Sequence, residues 1–209
     1  MAIVTYSNPS FGFGVTYDDE SITQTDDPAD PRLRAARSVP IPTTIAASVL
    51  FTTQDATTEG IARGLTPSLL VTTDDQRQLP GVLGTWDWDE ITHREARAFM
   101  RRTGAEAIET TAVYWRGFPV LQLALVAPPG ADQAAPLQLL GMLYTPEQTF
   151  SSLLVIPRGE EHPWIERLQD VMDGFFLVPI EREGRVRTGH QQVRSLHLTA
   201  SDLEDRAAR

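Results

Sequence analysis

The stretch Ala107-Ile-Glu-Thr-Thr-Ala-Val-Tyr-Trp-Arg-Gly-Phe-Pro-Val-Leu-Gln-Leu-Ala-Leu-Val126 decides the fold of this chain. Two runs of strand-forming residues flank Arg116-Gly117, where the glycine can take the positive φ that a two-residue hairpin turn needs. In the second run, Phe118–Val126, three alternating leucines face one way and largely apolar residues face the other. This pattern predicts an antiparallel hairpin whose second strand is covered on both faces.

A second hairpin and a helix are predicted after the first hairpin. Leu137–Tyr144 and Thr149–Ile156 are strand-like runs joined by a turn that contains proline. Pro163 suits the first position of a helix, an apolar stripe follows it, and Gly174 can cap the end. We therefore predict a helix over residues 163–173 that packs back on the sheet, and a short run at 175–178 that closes the domain.

The residues before the first hairpin predict another helix. Thr92-His-Arg-Glu95 has the form of a capping box, and Gly104 can end a helix that covers about residues 93–103. Val82–Trp88 then reads as the strand that precedes this helix. In the N-terminal half, Asp26–Pro31 is predicted as a loop, because each proline pushes the residue before it out of the helical region. Strands are predicted there at Phe13–Tyr17, Ile45–Thr53 and Ser68–Thr73.

The length and composition indicate one domain with a polar tail. A chain of 209 residues can bury one good core, which we assign to residues 1–180. Residues 181–209 carry six arginines and five acids with few large apolar side chains. Ser201-Asp-Leu-Glu204 is a further capping box and predicts a short terminal helix in this tail.

Composition excludes several classes of chemistry and partner. The chain has no lysine and no cysteine, so lysine Schiff bases, thiol nucleophiles and disulfides are excluded. A formal charge of −10 disfavours nucleic acid and anionic membrane surfaces. The chain shows neither an apolar run long enough to span a membrane nor a signal peptide, so a cytoplasmic location is expected. The use of arginine alone as the basic residue suggests a GC-rich bacterial genome.

One short segment concentrates the candidate side chains for chemistry or partner binding, Trp86-Asp-Trp-Asp-Glu-Ile-Thr-His93. Its carboxylates and imidazole are ligand types that hold divalent cations, although acids near a helix N-terminus are also expected from the helix dipole. The candidate metal ligands are Asp87, Asp89, Glu90 and His93. On a strand, Trp86 and Trp88 would share one face, either as cover for the core or as an exposed binding pair.

Three segments of the chain resemble the Mog/PsbP-like superfamily, including its LpqN/DcrB-type bacterial members, over roughly residues 11–178. They are Phe11-Gly-Phe-Gly-Val-Thr-Tyr17, the turn Trp115-Arg-Gly-Phe-Pro119, and the closing helix that runs into Phe175-Phe176. The resemblance implies an α/β (α+β) fold, with a mainly antiparallel sheet and helices packed on it as an α/β/α sandwich. It also implies a non-catalytic binding protein, although a shared fold does not by itself give a function.

These observations favour a non-catalytic cytoplasmic protein-binding module, adaptor or chaperone-like, with no cofactor. Such a module needs an exposed apolar or aromatic patch, for which the candidates are Trp86, Trp88, Trp115 and Phe118. One alternative is a small metal-dependent hydrolase that uses the carboxylates and the histidine of residues 87–93. No G-x-S-x-G or S-x-x-K motif is present to indicate a serine nucleophile. Another alternative is a self-associating structural protein in which one hairpin pairs across a two-fold axis, giving a dimer.

Overall fold

The computed structural model of the protein describes residues 3–18, 21–38, 47–74, 87–104, 106–126, 136–145, 148–159, 161–178, 180–182 and 185–187. The strands are β1 (Ile3–Asn8), β2 (Phe13–Asp18), β3 (Ile22–Thr25), β4 (Ala47–Thr53), β5 (Ser68–Asp74), β6 (Glu106–Trp115), β7 (Phe118–Val126), β8 (Leu137–Tyr144), β9 (Thr149–Ile156), β10 (Phe175–Leu177), β11 (Ile180–Arg182) and β12 (Arg185–Arg187). The helices are α1 (Pro31–Ala36), α2 (Thr58–Ala62), α3 (Trp88–Thr103) and α4 (Glu161–Asp173).

Seven antiparallel strands form the central sheet, in the order β3-β4-β5-β9-β8-β7-β6. The predicted hairpin is confirmed, with Trp115 opposite Phe118 across a two-residue turn. Arg116 and Gly117 both have positive φ, at 50° and 84°. Two positive φ values are typical of a type I′ turn, whose twist matches that of the flanking strands. The second predicted hairpin, β8 with β9, is also confirmed.

Different elements cover the two faces of the central sheet. On one face, α1, α2 and α3 bury a cluster that includes Phe99, Leu121 and Leu140. On the other face, α4 and a three-stranded sheet of order β1-β2-β10 bury a cluster that includes Phe13 and Phe150. The predicted α+β fold with helices on an antiparallel sheet is therefore confirmed. The strands β1 and β3 and the helix α2 were not predicted from the sequence. The three-stranded sheet shares the outer layer with α4.

The helix α3 begins earlier than predicted, because Asp87 rather than Thr92 is its cap. The Asp87 carboxylate accepts a hydrogen bond from the backbone N–H of Glu90 at 3.1 Å. The carbonyl of Asp87 accepts one from Ile91 at 3.1 Å. The predicted capping box is wrong, since Thr92 lies inside the helix, and the predicted strand is wrong at Trp88, the first helical residue. Residues 82–86 lie outside the described part of the chain.

We expect Asp87→Ala to lower the free energy of unfolding by about 1 kcal/mol, because it removes the side-chain cap of α3. Asp87→Asn keeps a capping oxygen and should lose only a few tenths of a kcal/mol. Urea unfolding followed by circular dichroism measures both variants. Equal loss in the two variants would show that charge, and not capping, is what Asp87 contributes.

The short helix α1 begins within the stretch predicted as a loop. Pro31 occupies its first position, where a missing N–H costs nothing. The Asp30 carboxylate accepts from the backbone N–H of Arg32 at 2.8 Å and pairs with the Arg32 guanidinium at 2.8 Å. The hydrogen bond from the Arg32 side chain is the main reason that the pKa of Asp30 falls to about 2.

The lowered pKa of Asp30 predicts that the free energy of unfolding falls at acid pH. The native pKa lies below the ordinary value of 3.8, so this contribution is present above about pH 4 and is lost as the pH falls through about 2. We expect Arg32→Gln to raise the pKa of Asp30 toward 3.8, as measured by an NMR titration of the carboxyl carbon. An unchanged pKa in this variant would contradict the assignment to Arg32.

The domain is predicted to end at residue 180, where a polar tail begins. The strands β11 and β12 pair with each other at the start of the segment predicted as a polar tail. The predicted terminal helix at Ser201–Glu204 lies outside the described residues, and the division at residue 180 stays a prediction.

Among the helices that the structure describes, none has the length and apolar content of a membrane crossing.

Candidate functional site

A groove of about 500 Å³ lies between α4 and the part of the central sheet formed by β6, β7, β8 and β9. The three-stranded sheet and α4 cover the rest of this sheet face, which leaves the groove along the β6 side. Its wall on α4 and its floor on the sheet are mainly apolar. The apolar lining includes Val113, Trp115, Val120, Leu139, Ile165 and Met172.

The two faces of β7 carry different side chains, with large buried leucines on one face and smaller or polar residues on the groove face. Leu121, Leu123 and Leu125 are at most 1% exposed and pack against the helices of the first face. The residues between them point to the groove, where Gln122 is exposed and Ala124 is half-buried. The prediction that both faces of this strand are covered is therefore correct for the leucines and only partly correct for the groove side.

Small residues at the centre of the floor give the groove its depth. Gly141 on β8 lies directly opposite Ser152 on β9. A Cβ atom added at Gly141 would lie 2.6 Å from the Ser152 Oγ, which is too close for any larger residue without rearrangement. The Ser152 hydroxyl donates to the Gly141 carbonyl at 3.5 Å. The floor therefore has no large side chain at this point.

Trp115 forms one end of the groove and is fixed from two sides. Its ring meets that of Phe175 edge to face, with centroids 5.5 Å apart. The guanidinium of Arg116 lies 4.7 Å from the centre of the indole ring. Phe118, opposite Trp115, is half-buried against the same cluster. Trp115 therefore lines a concave apolar surface, neither residue is freely exposed, and a binding role for the two stays a prediction.

The other two candidate binding residues do not form a strand pair. Trp86 lies outside the described residues, as does the side chain of Trp88. The backbone of Trp88 is helical, so the expectation that the two tryptophans share one strand face is wrong.

The candidate metal ligands lie in the first turns of α3. Asp87 caps the helix, while Glu90 and His93 are exposed on it. The side chain of Asp89 is outside the described part of the chain. Across the side chains that the structure does describe, no three of the metal-binding types come together to hold an ion. The geometry therefore gives no support to the metal-dependent hydrolase.

The groove is better suited to binding apolar groups than to acid–base chemistry. Of the described residues that line it, only Tyr114 and Asp173 carry titratable side chains. Gln122, Gln169 and Asp173 are exposed and form its polar rim. An apolar floor with a polar rim is the usual composition of a protein-binding surface.

Most of the residues that line the groove were not predicted from the sequence. Val113, Val120 and Leu139 follow the ordinary alternation of a buried sheet, so nothing in that pattern separates a covered face from an open one. The sequence did contain one signal. Gln122, Ala124 and Gly141 occupy groove-face positions at which a fully buried strand would carry large apolar residues. Three small or polar residues on neighbouring apolar strands indicate that no element packs there.

One solved structure supports the fold of this chain. No family model matches the chain, and no curated protein sequence matches it. The solution structure of cyanobacterial PsbP (CyanoP) from Synechocystis sp. PCC 6803 superposes with a TM-score of 0.56 at 12% identity, covering 84% of this chain and 92% of that one. The predicted PsbP-like resemblance is thereby confirmed at the level of the fold.

Two weaker matches come from other bacteria. A crystal structure from Bacteroides thetaiotaomicron VPI-5482 has a TM-score of 0.48 at 10% identity, with 87% of this chain and 49% of that one covered. A Pseudomonas aeruginosa protein of unknown function, described as a putative regulator, has a TM-score of 0.44 at 10% identity, with 87% and 100% covered.

Proposed function

We propose that this chain, which has a PsbP-like fold, is a non-catalytic protein-binding module of the adaptor or chaperone-like kind. The observation that carries the proposal is the apolar groove between α4 and the sheet. In this proposal the groove accepts apolar side chains of a partner protein. The bacterial origin and cytoplasmic location expected from the sequence belong to the same proposal.

The chemistry of the lining supports a protein partner. Trp115 is an aromatic anchor of the kind that dominates binding energy at protein interfaces. Met172 and Ile165 on α4 provide adaptable apolar contacts, since the methionine side chain is unbranched and polarizable. The small residues of the floor leave room for a side chain to enter.

The exposure of the lining favours a macromolecule over a small ligand. Small-molecule sites enclose about 70–90% of the ligand surface. Here Gln122 is exposed, while Thr111 and Val113 on β6 are only half-buried, so the groove is open toward that side of the sheet. A partner chain that lies along the sheet would cover this open side.

Ala124→Trp tests the proposal by filling the groove. The photo-crosslinking residue p-benzoylphenylalanine is placed at Gln122, and the protein is irradiated in a lysate of its source cells. We expect a discrete protein adduct, and we expect Ala124→Trp to reduce its yield about tenfold, which corresponds to about 1.4 kcal/mol of binding energy. Circular dichroism confirms that the filled variant is folded.

The matched control is on the helix α2 of the opposite face. Ala62 is exposed there, so the crosslinker at this position should give no discrete adduct, and Ala62→Trp should leave the adduct at Gln122 unchanged. An adduct that survives Ala124→Trp would place the binding surface elsewhere. Native mass spectrometry compares the wild type with Ala124→Trp. A small apolar molecule bound to the wild type and absent from the variant would show that the groove binds a small ligand and not a protein.

A further inference from the structure

The wall of the groove on α4 ends in a concentration of negative charge. The last turn of α4 carries Asp170 and Asp173, both exposed, and contains no basic residue. A helix C-terminus already bears a partial negative charge, so carboxylates are unfavourable there and a cation is favoured. Asp173 lines the groove and forms no ion pair with the side chains that the structure describes. This end of the groove therefore favours an occupant that combines positive charge with apolar groups.

One segment of the chain itself has that composition. Residues 185–201 contain three arginines, two histidines and no acid, although the whole chain has a net charge of −10. Beyond β12 the chain has four valines and leucines, and three of them are Val193, Leu196 and Leu198. In an extended stretch, Arg194, Leu196 and Leu198 lie on the same side, because successive side chains alternate. That side presents one positive charge followed by two apolar groups.

The chain leaves the described part of the structure near the same end of the groove. Phe175, two residues after Asp173, contacts Trp115 where the groove ends. The strands β11 and β12 then pair with Ile180 opposite Arg187. The spacing of residues along and across strands places Arg187 at most about 23 Å from Phe175. The seven residue steps that follow can span about 25 Å, so residue 194 can reach the end of α4.

We propose that the segment Arg194–Leu198, called here the docking segment, binds in the groove of its own chain as an extended stretch. Arg194 lies beside Asp173, and the two leucines lie against the apolar floor. The placement follows from the charge at the end of α4, the spacing of the leucines and the reach of the chain. Residues 188–209 lie outside the described part of the structure, and the helix predicted from Ser201 would begin after the docking segment.

The docking segment would regulate access to the groove. A groove that holds Leu196 and Leu198 cannot accept the apolar side chains of a partner at the same time, so the segment and the partner compete. The apparent affinity for the partner is then reduced by the fraction of molecules whose groove is open. This consequence rests on the proposed function, whereas the docking needs only the groove and the segment.

Photo-crosslinking of the purified full chain tests the docking. Protein with p-benzoylphenylalanine at Gln122 is irradiated at about 1 µM, where weak association between molecules is negligible. Mass spectrometry of the digested product should find a crosslink to residues 194–198, in a product of monomer mass. The double variant Leu196→Gln with Leu198→Gln should lower the yield of this crosslink about tenfold. The matched control Leu203→Gln, which lies outside the docking segment, should leave the yield unchanged.

Exchange of charge tests the position of Arg194. Arg194→Glu and Asp173→Arg each place like charges together, so each should reduce the crosslink to the docking segment. The variant that carries both changes restores an opposite pair and should recover the crosslink. Circular dichroism checks that α4 is retained in all three variants. Failure of the combined variant to recover would overturn the pairing of Arg194 with Asp173.

Two results of the crosslinking overturn the proposal outright. One is the absence of a crosslink from Gln122 to the docking segment of the same molecule. The other is a product that joins two molecules, which would assign the groove to the segment of a second copy.

The lysate experiment separates this proposal from the proposed function. There the double leucine variant should raise the yield of the partner adduct at Gln122 about tenfold, because its groove is open. A crosslink to the docking segment without a partner adduct in either protein would overturn the proposed function and support the docking. A partner adduct without a crosslink to the segment would do the reverse.

Discussion

Replacing Phe13 with alanine is expected to lower the free energy of unfolding by about 3 to 5 kcal/mol, the range found for large-to-small changes of buried phenylalanines. Phe13 on β2 is completely buried. Its ring stacks on that of Phe175 with centroids 5.4 Å apart and meets the edge of Phe150 at 5.8 Å. The alanine variant would leave a cavity where three strands from two sheets meet.

Urea unfolding of Phe13→Ala measures this loss, and Phe118→Ala is the matched control. Phe118 is half-buried at the start of β7, so its removal should cost clearly less than that of Phe13. A loss of less than about 1 kcal/mol for Phe13→Ala would show that the three-stranded sheet contributes little to global stability.

Replacing Gly174 with alanine is expected to lower the free energy of unfolding by about 3 kcal/mol, because an added Cβ would overlap the backbone of a neighbouring strand. The Cβ would collide with the carbonyl oxygen of Thr16 on β2. The Gly174 carbonyl also accepts a hydrogen bond from the Thr16 N–H at 3.0 Å. Relief would require β2 to move away from the end of α4.

Gly159→Ala is the control that separates this steric effect from backbone conformation. Gly159 has a φ of 87° with open space around its Cα, so alanine there should cost about 1 kcal/mol through conformation alone. Thermal unfolding of both variants compares the two effects. Equal losses would indicate that the contact between Gly174 and Thr16 relaxes without cost.

Phe13 and Gly174 both help to hold in place the elements that form the groove. Phe13 and Gly174 attach β2 to β10 and to the end of α4, and α4 forms one wall of the groove. Phe175 on β10 also contacts Trp115 at the end of the groove. A variant that loosens this attachment should therefore weaken the proposed binding in the groove as well as lower the free energy of unfolding.

Local patterns predicted the hairpins and the helix after them. Arg116-Gly117 lies between two runs with strand periodicity, and the backbone conformation of a two-residue turn depends on those two residues alone. The helix predicted at 163–173 is observed as Glu161–Asp173. The predicted start is wrong by two residues, since Pro163 is the third residue of the helix, where proline is still tolerated within the first turn. Gly174 does follow this helix, but it is absent from the glycines of positive φ, so close approach is the reason for it.

Helix starts were harder to predict because several residues satisfy the same rule. Thr92 and Asp87 are both good caps, and Ile91, Ala96 and Phe99 form an apolar face for either start. The structure selects Asp87, whose carboxylate accepts from the Glu90 N–H. The helix α1 was missed because the prolines at 28 and 31 suggested a loop, although Pro31 is well placed at a first helical position.

The sequence by itself determined the two hairpins, β6 with β7 and β8 with β9, and the helix α4, because these depend on side-chain periodicity and on the backbone conformation of neighbouring residues. The PsbP-like fold was expected from the family resemblance of three segments. Only the tertiary structure decided where the sheet remains open. Val113 and Val120 have the same apolar character as buried strand residues, and whether they are covered depends on how α4 and β10 dock on the sheet. That docking is set by contacts between residues far apart in the chain, such as Phe13 with Phe175 and Gly174 with Thr16.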